Sequence, residues 1–366
     1  MALSQIQSES MNLADDYTFT GTVSGASSPD NLVVNGAMEI SQRGSSFTGF
    51  GAAVNYGLDR FGFYHSSDGA FTVSQETSIV PTDFTHALKV LITTADASIA
   101  AGQRLILFTK LEGNRVSHLN WGTSDAKAVT LSFWVRSSVT GTHGGAFGNG
   151  SDNRNYPFTY TISTADTWER KTITVAGDQT GTWATDNTNG LQIVWGLGVG
   201  STYSGSAGAW AAGDKNSATG ATTSVLGTTN ATWYLTGVQL ETGSNASDFH
   251  HRSYADTIRE CLRYYYRIER NNAWGEFMLL RAYSTTNGTC GAVQLPVPMR
   301  ASPTLSCTSP SGNFAYSVTA ITGGTADALN KQMEVNVTGA FTANGAAVIQ
   351  KDNNSDVVYI DFTAEL

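Results

Sequence analysis

The chain has 366 residues, enough for roughly two or three domains that each bury a proper core. Its net charge of −9 argues against a nucleic-acid binder, which needs a basic face to displace counterions, and it holds no run of about 18 apolar residues to cross a bilayer. Charged residues make up 14%, below the ~25% of ordinary soluble domains, and Gly (38 residues), Ser, Thr and Asn replace them in a polar but neutral surface commoner in fibre and adhesin modules than in enzymes.

Residues 1–30 are polar and weakly patterned, and they could not form a core of their own. They are expected to be an arm held by a neighbouring subunit or a larger assembly. The first residues, Met1 to Glu9, have neither a basic start nor an apolar centre, so no signal peptide is expected.

Residues 31–250 read as a series of antiparallel strands. Val129, Leu131, Phe133 and Val135 alternate with Thr130, Ser132, Trp134 and Arg136, and the pattern recurs in Thr159–Ile162, Thr172–Val175 and Leu191–Trp195. Trp233 and Leu235 share one parity, Val238 and Leu240 the other. A bulge at Gly237 would turn all four inward. Strands spaced by Gly/Asn/Ser turns over about 200 residues predict a large jelly-roll β-sandwich.

One helix is expected within 251–270, capped by Ser253 with Asp256 as the returning acid. Ile258, Cys261, Leu262 and Tyr265 would form its apolar stripe, and Arg259, Arg263 and Arg267 a basic ridge, solvated or in contact with a neighbouring subunit. Residues 271–366 predict a small C-terminal β-sandwich. There Val293, Leu295, Val297 and Met299 alternate around Pro296 and Pro298, which confine such a strand to an edge or a partner-covered position, and Val358, Ile360 and Phe362 face inward on the last strand. The whole is all-β with one connecting helix.

Three cysteines, Cys261, Cys290 and Cys307, are too few and too scattered for a disulfide framework or a zinc site, which points to folding in a thiol-reducing compartment. No His-Glu-x-x-His, Gly-x-Ser-x-Gly or phosphate-loop motif occurs, and Gly196-Leu197-Gly198-Val199-Gly200 reads as strand and turn. His250-His251 has no third ligand at metal spacing. Asp152, Asp166, Asp178, Asp186 and Asp214 could include the two acids of a glycosidase, but sequence alone does not pair them. No enzyme, metal or cofactor is expected.

Aromatic residues in loops carry the remaining signal. Trp183 and Trp210, with Tyr156 and Tyr203 and the polar neighbours Asn153, Arg154 and Asp186, are candidates for a glycan platform, because sugar rings present apolar C–H faces. The alternative is a loop Trp folded back over its own core. Trp134 stands on the polar side of its strand, where a neighbouring loop could cover it; Trp168, Trp195 and Trp233 are expected in the core.

Three stretches resemble carbohydrate-binding-module jelly rolls: Asn31–Glu39 their opening strand, Trp168 with Thr172–Val175 their middle strand, and Thr232–Glu241 their closing strand. A second resemblance, to tail-fibre-like proteins of marine and cyanobacterial phages, rests on Tyr17–Val23, Asn35–Gly44, Leu58–Phe61, Val238–Glu241, Cys261–Arg267 and Val297–Leu305, and covers nearly the whole chain in order. It implies a homotrimeric virion protein made in the host cytoplasm, whose residues 1–30 dock on other phage tail proteins and whose β modules face host cell-surface glycan. The calcium site of such jelly rolls uses an acid in the closing strand. Thr236 and Gly237 stand there instead, and Glu39 alone would be a poor site. The expectation is a tail fibre or receptor-binding structural protein. Its rivals are a tail adaptor or head-attached fibre that binds only virion proteins, and a glycan depolymerase.

Overall fold

The computed structural model describes residues 31–270, 276–282, 284–308, 318–327, 332–339, 346–350 and 358–366. The expected arm 1–30, the turn Lys351–Asp356 and the side chains of Cys290, Cys307 and Val358 lie outside the described part.

Two antiparallel sheets face one another over a shared core. Their strands are β1 (Ser46–Phe47), β2 (Val54–Tyr56), β3 (Phe61–His65), β4 (Ala70–Glu76), β5 (Ala87–Thr94), β6 (Arg104–Glu112), β7 (Val129–Ser137), β8 (Gly141–Gly148), β9 (Arg154–Ile162), β10 (Glu169–Val175), β11 (Asn189–Val199), β12 (Ser204–Gly205), β13 (Ala211–Ala212), β14 (Ser217–Ala218) and β15 (Thr232–Thr242). One sheet runs β1-β4-β5-β15-β7-β10 and the other β13-β9-β8-β11-β6-β3-β2, while β12 and β14 pair in parallel as a small annex. A four-residue helix, α1 (Gly113–Val116), follows β6.

Period-two alternation builds the core. Leu131, Phe133 and Val135 of β7 face Ile193, Trp195 and Leu197 of β11 within one cluster of fully buried side chains. On β15 the register slips between Thr236 and Gln239, with Gly237 at φ 60°, and Trp233, Leu235, Val238 and Leu240 all become buried as the expected bulge requires. Trp195 and Trp233 are core residues, whereas Trp168 is half-buried on the outer face against Tyr234.

One segment differs from the jelly-roll expectation. Asn31–Glu39 forms turns instead of a strand, yet it still docks on β15: Leu32 donates to Leu240 at 2.9 Å, and Val238 donates to Gly36 at 2.9 Å. A Cβ on Gly36 would stand 2.0 Å from the Val238 carbonyl, so this close approach requires glycine. The strand after Trp168, β10, lies at the edge of its sheet.

The second helix, α2, spans Tyr254–Cys261 and is shorter than the segment suggested. Ser253 caps it as expected: its Oγ accepts from the Asp256 N–H at 3.1 Å and donates to the Asp256 carboxylate at 2.6 Å. Beyond Cys261 the chain turns, and β16 (Tyr265–Arg270) pairs with the terminal strand, with Tyr265 opposite Thr363. Non-local pairing thus overrides the helical pattern, and three consecutive tyrosines suit a strand. Arg263 and Arg267 leave the helix, so no basic ridge forms.

The C-terminal module holds β17 (Glu276–Ala282), β18 (Asn287–Gln294), β19 (Thr304–Thr308), β20 (Val318–Asp327), β21 (Gln332–Gly339), β22 (Ala346–Gln350) and β23 (Val358–Thr363). They form antiparallel sheets ordered β16-β23-β19 and β20-β21-β18-β17-β22. Strand β18 stops at Gln294, ahead of the two prolines that cannot donate to a ladder; Leu295 and Met299 are buried beyond it. On β23, Ile360 and Phe362 are fully buried.

A dense ion-pair network joins the two modules. Arg60, 2% exposed, lies 3.4 Å over the Tyr264 ring and pairs with Glu365. Arg43 stacks 3.6 Å from the Tyr265 ring centroid and reaches Glu365 at 2.9 Å. Arg263 grips Glu112 in a fork at 2.6 and 2.7 Å, and Tyr264 donates to the same carboxylate at 2.7 Å. Arg267 grips Asp361 at 2.7 and 3.0 Å. The stretches Asn35–Gly44, Leu58–Phe61 and Cys261–Arg267 thus converge on one structural joint.

Candidate functional site

Trp121, Trp183 and Trp210 close one edge of the large sandwich as a mutual edge-to-face trio, with ring centroids 4.7, 5.2 and 5.3 Å apart. Tyr156 of β9 adds a fourth ring 5.4 Å from Trp210. Trp121 is buried and the other three are half-buried against the core.

Each indole N–H is pinned. Trp121 donates to Lys127 O at 2.7 Å, Trp210 to Ala176 O at 2.7 Å, and Trp183 is shared between Asp178 and Thr180 O at 3.3 Å each. Asp178, 1% exposed, accepts a fork from Arg154 at 2.8 and 2.7 Å. Burial pushes its carboxyl pKa up, but the Arg154 fork and the Thr180 N–H outweigh this and hold it below the usual range. Asn153 joins through Asn149, which donates to its side chain at 2.8 Å and to Thr182 O at 3.0 Å.

The fold thus gathers Trp183, Trp210, Tyr156, Arg154 and Asn153, and leaves Tyr203 and Asp186 elsewhere. Tyr203 stacks on Arg104, 3.9 Å from its guanidinium, and Arg104 also binds Asp214 at 2.7 Å. Asp186 shapes its own turn, accepting from Thr188 N and Oγ1 at 2.9 and 2.6 Å. Sequence reasoning missed Trp121, although its Gly/Thr/Ser/Asp surroundings match those of the other loop tryptophans. It also missed that Asp178 serves as the cluster's anchor.

The outer face of the seven-stranded sheet is partly closed by the chain itself. Ile106, Phe108 and Val194 are buried beneath Tyr56, Tyr64 and Val199, and the Leu366 carbonyl accepts from Tyr56 at 2.7 Å and Lys110 at 3.1 Å. Nearby, Asp152 accepts from Gln192; burial and the charge of Asp214 push its pKa up. Glu241, 2% exposed, holds the turn after β15 by accepting from Gln239 at 2.5 Å and from Ser247 N and Oγ at 3.0 and 2.9 Å. Among the described residues, no three His, Cys, Asp or Glu gather as a metal site.

No protein-family model matches the sequence, and no curated protein is similar to it. Solved structures with some likeness include a tailspike protein 4 enzymatically active domain from bacteriophage CBA120. It has 9% identity and a TM-score of 0.31, over 58% of this chain and 21% of that one, so the chain spans about a fifth of the tailspike. A family 61 carbohydrate-binding module complexed with β-1,4-galactotriose shows 8% identity and a TM-score of 0.30, over 58% and 99% of the two chains. A family 11 module from Clostridium thermocellum, complexed with a mixed-linked tetrasaccharide, shows 10% identity and a TM-score of 0.27, over 57% and 98%.

Proposed function

We propose that this chain is a phage tail-fibre or receptor-binding structural protein whose large sandwich contacts host-surface glycan at the Trp183–Trp210 edge. In this reading residues 1–30 dock on other virion proteins, and three copies assemble so that weak sites act together. The observation that carries it is the aromatic edge itself. Half-exposed rings are fixed by backbone carbonyls and by the Arg154–Asp178 fork, so stacking a sugar on them costs little ordering entropy. The rigid joint at Arg60 and Glu365 suits a part that transmits contact force.

Adsorption of particles carrying Trp183→Ala with Trp210→Ala tests the proposal. Adsorption should fall while the particles still assemble; unchanged adsorption would favour the tail-adaptor reading. The depolymerase reading turns on Asp152, an exposed acid that accepts from Gln192 and feels the charge of Asp214. That reading predicts release of oligosaccharides from host polysaccharide, abolished by Asp152→Asn.

A further inference from the structure

A groove of about 510 Å³ opens on the outer face of the six-stranded sheet, lined by Asp83, Phe84, Trp134, Arg170, Asp248, Phe249 and His251. It shares no residue with the Trp183–Trp210 edge and stands whether or not that edge binds sugar. Trp134 of β7 forms part of its lining, with Arg170 of β10 directly opposite in the ladder and Thr236 of β15 on the other side. The bulge at Gly237 makes room: a Cβ there would stand 2.9 Å from the Trp134 ring and 2.6 Å from that of Phe84. Phe84, Phe249 and His251 pack on one another with centroids 4.9–5.2 Å apart and make an aromatic wall.

Most polar groups of this groove are uncommitted, unlike those of the edge. Within the described residues, the Trp134 N–H and the Asp83 and Asp248 carboxylates make no hydrogen bond, and both carboxylates lie on exposed residues. Arg170 donates one Nη2 bond, to the Ser247 carbonyl. A half-buried Trp on the solvent side of a strand, with a free N–H and free acceptors around it, adds nothing to the sandwich core.

We infer that this groove is a saccharide-binding site for uncharged hexopyranose oligosaccharides. The C–H face of a pyranose would stack on Trp134, its hydroxyls would donate to Asp83 and Asp248, and its oxygens would accept from Arg170 and the indole N–H. Two carboxylates against one guanidinium leave the lining net negative, which disfavours uronates and sialylated chains. The volume lies within the range of ligand sites, about 300–1,000 Å³.

An array of neutral and acidic oligosaccharides, probed with the full chain and followed by calorimetric titration of the best neutral ligand, tests this. Neutral glycans should be retained and acidic ones should not. Trp134→Ala should weaken binding at least about tenfold and Asp248→Asn several-fold, with unchanged melting temperatures. Asp248→Asn, on an exposed residue, keeps the test informative should Trp134→Ala fold poorly. Trp183→Ala with Trp210→Ala should leave this binding intact. Retention of acidic glycans only, of none, or of neutral glycans with full affinity in both groove variants would overturn the inference. Loss in the edge variant alone would uphold the edge and refute the groove.

Discussion

Single residues carry more structure here than their exposure suggests. Among the described residues Arg154 is the one cation on the buried Asp178, so Arg154→Ala leaves an uncompensated carboxylate beneath Trp183. It should cost about 2–4 kcal/mol in chemical denaturation. The same pair predicts the acid limb of stability. Asp178 and Glu112 are both held below their ordinary pKa values, Glu112 because the bonds from Arg263 and Tyr264 outweigh the upward push of burial. A depressed folded-state pKa gives stability that is present above the unfolded value and lost as pH falls through the folded one. The melting temperature should therefore drop as pH goes below about 4, and Asp178→Asn should flatten that fall. These partners were not legible in the sequence: Asp178 stood out only as one acid among several, and a separation of 24 positions from Arg154 leaves no local pattern.

At the scale of elements, local chemistry was readable and non-local pairing was not. The Gly237 bulge and the Ser253–Asp256 cap follow from parity and from a three-residue spacing, and both are present. The end of α2 was misjudged because Tyr265–Arg270 is claimed by β23, about a hundred residues away. Trp134 was noticed for its parity, but its groove depends on Phe84, Phe249 and His251 arriving from distant loops. Gly237→Ala should destabilise the fold by about 2–3 kcal/mol, since it forces φ 60° on a residue with a Cβ and drives that Cβ into Phe84 and Trp134. A urea titration reads this directly. Ser253→Ala should cost only about 1 kcal/mol.

For the whole molecule, the all-β architecture was legible from alternation and turn composition, whereas the joint between modules was not. Arg263 and Arg267 read in sequence as part of a helical basic ridge, yet they and Arg43 and Arg60 are each bound to a carboxylate or stacked on a tyrosine at the junction. Arg60→Ala should strip the 5%-exposed Glu365 of one of its two arginine partners, leaving Arg43, and cost about 2–3 kcal/mol. It should also split one cooperative calorimetric transition into two as the modules uncouple. Glycan contact made by such a scaffold would be reversible and would leave the glycan unchanged. Incubating the full chain with host-surface polysaccharide, and measuring both the bound fraction and the length of the recovered polymer, tests this most directly. The account predicts saturable binding with polymer of undiminished length; no binding, or shortened chains that disappear with Asp152→Asn, would contradict it.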